Sequence, residues 1–190
     1  MAVHGALGIP ENVKRDVPEL DELLRKKGVK IFHQNIRGLL SKVSQIEAFL
    51  SDFPKIDILA LSETHLDKLL EDTDACSIED YELKKSRSDG NHGSVAVYIS
   101  ERIKYRRRKD LEHDSLECIW IEISEENVQP YLFGCIYRPP DSSEYLPPDF
   151  NEIFQSNITR FINKYQEIIL VGDFNINYLN SNDHKDLKRF

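Results

Sequence analysis

The sequence predicts one α/β domain of layered, mixed sheets, and three observations carry that expectation. The chain opens strand–helix–strand, passes through a run of strand-like segments, and closes helix–strand. Regular alternation of strands and helices would argue for a doubly wound parallel sheet, whereas a central run of strands argues for mixed sheets. At 190 residues there is enough chain for one sizeable core, and no linker-like stretch divides it.

The elements follow in order. Residues 1–28 read as a lead-in with a short helix from Pro18 to Lys27: proline near the first turn, acids early, bases late, and Gly28 as a stop. Residues 29–190 form the domain proper. "VKIFHQN" reads as a strand. In "SKVSQIEAFLSDF", Val43, Ile46, Phe49 and Leu50 share one helical face, with Ser41 as the expected cap. "IDILALSE" is nearly continuously apolar, as a strand covered on both faces should be.

After an acidic polar connection over residues 65–80, five segments read as strands: "YELKKSRS", "SVAVYIS", "IKYRRRKD", "CIWIEIS" and "YLFGCIY". Their short breaks, with "DGNHG" as turn chemistry in the first, predict an antiparallel meander. "RPPDSSEYLPP" can be neither interior strand nor helix. From Asp149 the helical period returns through Phe150, Ile153, Phe154, Ile158, Phe161 and Tyr165, and "EIILV" is the last strand.

Composition narrows the class. A hydrophobic share of 40 % and a charged share of 31 % exclude disordered and fibrous chains. No apolar run reaches the roughly 18 residues of a membrane span, and the N-terminus shows no secretory signal pattern. Cys76, Cys118 and Cys135, an odd number at unrelated spacings, read as reduced thiols of an intracellular protein, nuclear or cytoplasmic. The net charge of −8 counts against binding nucleic acid by bulk attraction. One segment runs against that balance, "RIKYRRRKD", with six basic side chains from Arg102 to Lys109. Alone it reads first as a solvated edge strand or turn, and second as a nucleic-acid contact.

The chemistry collects at strand ends. "KIFHQN" ends on Asn35, "ILALSE" on Glu63, "LFGCIY" on Tyr137 followed by Arg138, and "IILVGD" on Asp173 with Asn175 just beyond. Strands that run together bring their ends to one rim, where ligand sites collect. Two carboxylates and two carboxamides are oxygen ligands for a hard cation such as Mg²⁺. A carboxylate from a separate strand can orient or deprotonate water. Asn, Tyr and Arg can donate to phosphate oxygens. No thiolate–imidazole cluster for zinc, no phosphate-binding Gly-x-x-x-x-Gly-Lys loop and no Gly-x-Ser-x-Gly elbow is present. Each residue also has a purely structural explanation: Asn35 as a turn cap, Glu63 as a first-turn acid, Asp173 as an Asx turn, Tyr137 as rim packing. It is their coincidence at strand ends that points to a site.

Five blocks, "HQNIRGLLSK", "DILALSETHL", "GSVAVYIS", "GCIYRPP" and "ILVGDFN", resemble in order those of the endonuclease/exonuclease/phosphatase superfamily. "LSETHL" with "IYRPP" is most similar to the endonuclease domain of non-LTR (LINE-type) retrotransposons. The resemblance implies a four-layer α/β sandwich of two mixed sheets flanked by helices, and Mg²⁺-dependent phosphodiester hydrolysis, with Mn²⁺ as a substitute. It implies Glu63 as principal metal ligand with Asn35 beside it. It implies Tyr137 on the scissile phosphate, Asp173 at the nucleophilic water, and Asn175 at phosphate near it. Arg138 joins these as a phosphate contact, and His65 as a substrate contact. DNA is the implied partner, met through Arg102–Lys109 if that segment flanks the metal site, and a reverse transcriptase domain is expected in a full-length parent.

Two departures accompany the resemblance. "NHGSVAVY" stands where the family usually has a Gly-Gly pair. The family's closing Ser-Asp-His block has no match here, so the fold is expected to be incomplete at its C-terminus and turnover weak or lost. His184 in "SNDHKD" lies too soon after Asp173 to replace that histidine, and His33, inside the first strand, reads as packing. A non-catalytic binding remnant and a phosphoesterase for a small phosphorylated substrate are the alternative functions.

Overall fold

The central strands are buried along both faces because the molecule has four layers. The structure, a computed structural model, describes residues 3–4, 18–66, 73–86 and 93–176. One sheet holds β1 (Val3–His4), β2 (Ile31–Asn35), β3 (Ile58–Ser62), β4 (Tyr81–Lys85) and β5 (Val95–Ser100), in the order β1-β2-β3-β5-β4. The other holds β6 (Tyr105–Arg107), β7 (Glu117–Ile123), β8 (Tyr131–Tyr137) and β9 (Ile168–Asp173), in that order. Parallel pairs β2–β3 and β8–β9 are each bridged by a helix, α2 (Val43–Asp52) and α3 (Phe150–Thr159), as parallel neighbours require.

Side-chain alternation sorts the residues into layers. Ile58, Ala60, Val95, Val97, Ile99, Ile119, Ile121, Phe133 and Cys135 fill the space between the sheets. The intervening Leu59, Leu61, Ala96 and Tyr98 face α2 and α1 (Pro18–Arg25), meeting Ile46, Leu50 and Leu24. On the other side Trp120, Leu132 and Ile136 meet Phe150, Phe154 and Ile158 of α3. Full burial of one such aliphatic side chain is worth roughly 1.5–3 kcal/mol, so these three clusters hold the layers together.

Local expectations differ from the structure in five places, the first being that the lead-in, read as holding only a short helix, also lays Val3–His4 beside β2 as the edge strand β1. The five central segments do not form one meander. β5 already has β3 on one edge and β4 on the other, so β6 has no edge to join there and pairs with β7 in the second sheet. Ser41 does not cap α2; it lies in a 3-10 turn, Leu40–Lys42, and the helix starts after Lys42 without a side-chain cap. α1 ends at Arg25, short of Lys27, ahead of Gly28 in the left-handed region at φ 94°. α3 ends at Thr159, although Phe161 and Tyr165 still pack against its cluster. The "DGNHG" turn before Gly93, and "SNDHKD" with His184, lie outside the described residues. Among the described residues no helix is long and apolar enough to cross a membrane.

Candidate functional site

The ends of β2, β3, β8 and β9 meet at one rim where the two sheets adjoin. Register sets Asn35 beside Ser62, the residue before Glu63, and sets Tyr137 opposite Asp173. The two halves are joined by Asn35, whose Nδ2 donates to Glu63 Oε1 at 2.7 Å and to Asp173 Oδ2 at 2.7 Å. Two carboxylate acceptors call for the amide nitrogen, so the amide's orientation follows from chemistry. Its oxygen is left over: Asn35 Oδ1 is buried and has no hydrogen-bond partner.

Glu63 is held in an unusual conformation. Its φ of 53° lies in the left-handed region, which costs a non-glycine residue on the order of 1–3 kcal/mol and persists only where its surroundings enforce it. They do so through the backbone. Ile36 N–H donates to Ser62 O at 2.9 Å, Gly38 N–H to Glu63 O at 2.7 Å, and Leu39 N–H to Thr64 O at 2.9 Å. Thr64 N–H and His65 N–H donate to Ser94 O and Gly93 O at 3.2 and 3.1 Å. Beneath them the buried hydroxyls of Thr64 and Ser94 hydrogen-bond each other. Two chain segments, residues 36–39 and 93–94, thus clamp the residue that presents its carboxylate at the rim.

On the other sheet, glycine is required at position 172. With φ 151°, a Cβ there would stand 1.8 Å from Ile136 O, so the strand can lie against β8 only as Gly. That fit delivers Asp173 beside Tyr137. Asp173 Oδ1 accepts the Asn175 N–H at 3.1 Å, the Asx-turn contact that "GDFN" suggested, while Oδ2 accepts Asn35. Asn175 Nδ2 donates to Arg138 O at 2.8 Å.

Tyr137 is buried between the sheets, close to the Glu63 and Asp173 carboxylates. Burial first, then the charges of Glu63 and Asp173, push its pKa up to about 12. Gly93 makes room for it, since a Cβ at that residue would sit 3.1 Å from the Tyr137 ring. The one glycine left of the family's pair therefore lies against the ring.

Not every expected residue faces this rim. Consecutive strand residues point to opposite faces, so with Tyr137 inward, Arg138 turns toward α3. Its guanidinium is buried, lies 5.6 Å from the Phe150 ring centroid and pairs with Asp141 at 2.5 Å. It is not presented as a phosphate contact. His65 is exposed beside Glu63, with its Nδ1 3.9 Å from where a Gly38 Cβ would stand. His33 is buried, and its Nε2 is 3.2 Å from Ser62 Oγ, a packing position.

The basic segment does not flank the rim. Tyr105 lies opposite Ile123 and Arg107 opposite Ile121, whereas Glu117 is the residue opposite Tyr137. At about 3.3 Å per residue β6 is roughly 13–20 Å along the strands from the site. Arg102 pairs with Asp57, ahead of β3, at the end away from Glu63. Arg106 and Arg108 pair with Glu122, Arg107 with Glu112, and Arg108 also with Asp110. The segment's arginines serve intramolecular ion pairs.

One rim residue was missed from the sequence. Glu117 opens β7, lies opposite Tyr137 and accepts a hydrogen bond from Ser86 Oγ at 2.7 Å. A polar residue at the end of an apolar strand was the right signal. Because β7 runs antiparallel to β8, the strand's beginning, and not its end, reaches the rim.

The donor set fits a hard divalent ion. Asn35 Oδ1 is an oxygen without a partner, and Glu63 supplies a carboxylate beside it. Among the described residues no cluster of three or more His, Cys, Asp or Glu forms a metal cage. Mg²⁺ typically takes only one or two carboxylates from protein, with water and phosphate completing its octahedron.

Several solved structures share this fold. The endonuclease domain of TRAS1, a telomere-specific non-LTR retrotransposon, superposes with a TM-score of 0.59 at 13 % identity, over 85 % of this chain and 68 % of that one. The AP endonuclease LMAP from Leishmania major gives 0.63 at 17 %, over 78 % of this chain and 55 % of that one. The 3′ phosphatase NExo from Neisseria, bound to product DNA hairpin, gives 0.56 at 17 %, over 78 % and 58 %. The chain thus spans little more than half the length of the latter two. These likenesses show the fold, and no curated protein matches the chain. The endonuclease/exonuclease/phosphatase family profile matches residues 32–189, and the chain belongs to that family.

Proposed function

We propose that the rim hydrolyses phosphodiester bonds in DNA, as an endonuclease of the non-LTR retrotransposon type, with Mg²⁺ held by Glu63 and Asn35. The observation that carries this reading is the Asn35 amide bridging Glu63 and Asp173, with its own oxygen buried and unpartnered. The bridge separates two carboxylates into two tasks. Glu63, with Asn35 Oδ1, faces the metal. Asp173 is held on each oxygen by one donor, which leaves a further lone pair on each for water. From there it orients the attacking water and accepts its proton. When bound, Mg²⁺ or Mn²⁺ neutralises charge building on the phosphate oxygens. Tyr137, kept protonated by its raised pKa, donates to the scissile phosphate. Asn175 and the exposed His65 contact phosphate and substrate from the rim. The retrotransposon endonuclease domain and the DNA-bound 3′ phosphatase among the similar folds support DNA as substrate.

A second reading, a phosphoesterase for a small phosphorylated molecule, is favoured by the placement of the basic segment. Its arginines are ion-paired away from the rim, and the net charge is −8. Both readings use the same residues and part over substrate size. The test is nicking of supercoiled plasmid with Mg²⁺ by the wild type, Glu63→Ala and Asp173→Ala, run beside phosphate release from p-nitrophenyl phosphate. Nicking by the wild type that drops at least about 100-fold in both variants supports the endonuclease. Phosphate release without nicking transfers the conclusion to the small substrate, and nicking that survives both substitutions sinks the site. DNA binding without turnover in all three proteins identifies a binding module.

A further inference from the structure

We infer that Arg138 is a positioning residue for the water-orienting carboxylate, acting through the Asp173–Asn175 segment. Three contacts connect it to that segment. Arg138 N–H donates to Asp173 O at 2.9 Å, Arg138 O accepts Asn175 Nδ2 at 2.8 Å, and Arg138 Nη1 lies 3.5 Å from Phe174 O. Any residue could supply the first two. The third belongs to the guanidinium, and the remaining guanidinium contacts fix where that group stands.

Nη2 pairs with Asp141, Nη1 also reaches Pro139 O at 3.4 Å, and the plane lies over the Phe150 ring. The side chain is 9 % exposed, although Asp141 is mostly exposed. A buried guanidinium whose acid partner sits in solvent is a poor device for stability alone. Its geometry suits another task. It ties the proline loop and the start of α3 to the backbone between Asp173 and Asn175, while the Phe174 ring packs on Phe154 one helical turn further on. The turn carrying the carboxylate is thereby registered against the helix instead of hanging from the strand end. Lysine cannot replace this, having neither the planar fork nor the stacking face.

The inference rests on Asp173 being the water-orienting group of the proposed hydrolysis, so its test includes a readout independent of turnover. In ¹⁵N-labelled protein the side-chain NH₂ of Asn35 reports its bond to Asp173, and that of Asn175 reports its bond to Arg138 O. In Arg138→Lys both pairs of resonances are expected to move, while the backbone amides of α2, packed on the other sheet, stay in place. Nicking should lose about 10- to 100-fold in kcat with KM within about threefold, the pattern of a misplaced group. Phe150→Leu, which removes the stacking face and keeps the guanidinium, should move the same amides less, and it decides the matter if Arg138→Lys fails to fold. Unmoved Asn35 and Asn175 amides in a folded variant overturn the inference, as does a raised KM at unchanged kcat, the signature of a direct phosphate contact. If the wild type does not nick DNA, hydrolysis is refuted while the amide readout still judges the positioning.

Discussion

Asn35 Nδ2 and Asp173 Oδ2 stand 2.7 Å apart, although 138 positions separate the two residues and they belong to different sheets. This bond, with its twin to Glu63, keeps two carboxylates side by side at the rim without direct contact. Hydrogen bonds to charged groups are worth about 1.5–3 kcal/mol each, so Asn35 stabilises the sheet junction while its Oδ1, buried and unpartnered, is the oxygen proposed to face a metal.

Replacing Asn35 separates these two roles. Asn35→Asp brings a third carboxylate into the gap and should destabilise the metal-free protein by about 2 kcal/mol or more. Titrating Mg²⁺ to about 10 mM should recover much of that loss, because ligand binding to the folded state stabilises it. Asn35→Ala should lose similar stability and recover little. Urea denaturation in EDTA and in Mg²⁺ reads both, and an Asn35→Asp protein indifferent to Mg²⁺ would speak against a metal at this rim.

Gly172→Ala tests whether the close approach of β9 to β8 delivers Asp173. The new Cβ would meet Ile136 O at 1.8 Å. A loss of at least about 2 kcal/mol is expected, from backbone strain and overlap together. Nicking should fall further than the folded fraction does. A variant with wild-type stability would show that the strands accommodate a side chain there.

Tyr137 gives a pH dependence with a definite sign. Its folded pKa, near 12, exceeds the ordinary value of 10.0, so the folded protein holds that proton more tightly than the unfolded chain. The resulting stabilisation is fully present below pH 10 and is lost as pH rises toward 12. Other buried tyrosines titrate there too, so the informative quantity is the difference between wild type and Tyr137→Phe. That difference should be constant at neutral pH and shrink above pH 10. Denaturation at about pH 8 and about pH 11 measures it, and a difference that grows with pH contradicts the assignment.

The basic segment should contribute stability more than affinity. Arg108→Ala leaves the mostly buried Glu122 carboxylate with fewer donors and should cost about 1–3 kcal/mol. Arg106→Ala, removing an exposed guanidinium, should change stability by less than about 1 kcal/mol. DNA affinity of the Arg106→Ala protein should stay within about twofold, with an unchanged salt slope. A slope lowered by about one per arginine removed would place DNA on this strand after all.

The sequence by itself determined the strands from β2 onward, most of the helix faces and which polar residues stand at strand ends; β1, in the lead-in, it did not announce. Runs such as "ILALS" and "YLFGCIY" could only be strands covered on both faces, and Asn35, Glu63, Tyr137 and Asp173 stood out because apolar strands do not need them. Arg138 reads from the sequence as a phosphate contact, although the alternation that turns Tyr137 inward already sends it to the opposite face. Other features were decided only by the tertiary structure. β6 left the first sheet because β3, distant in sequence, already occupied the edge of β5. The arginines of Arg102–Arg108 were taken by Asp57, Glu112 and Glu122, partners that no local pattern names. Glu117 reached the rim because its strand runs antiparallel to the one carrying Tyr137. Periodicity reports whether a residue is covered, one position at a time. Which covered residue meets which depends on strand order and direction, and those are settled only when the whole chain packs.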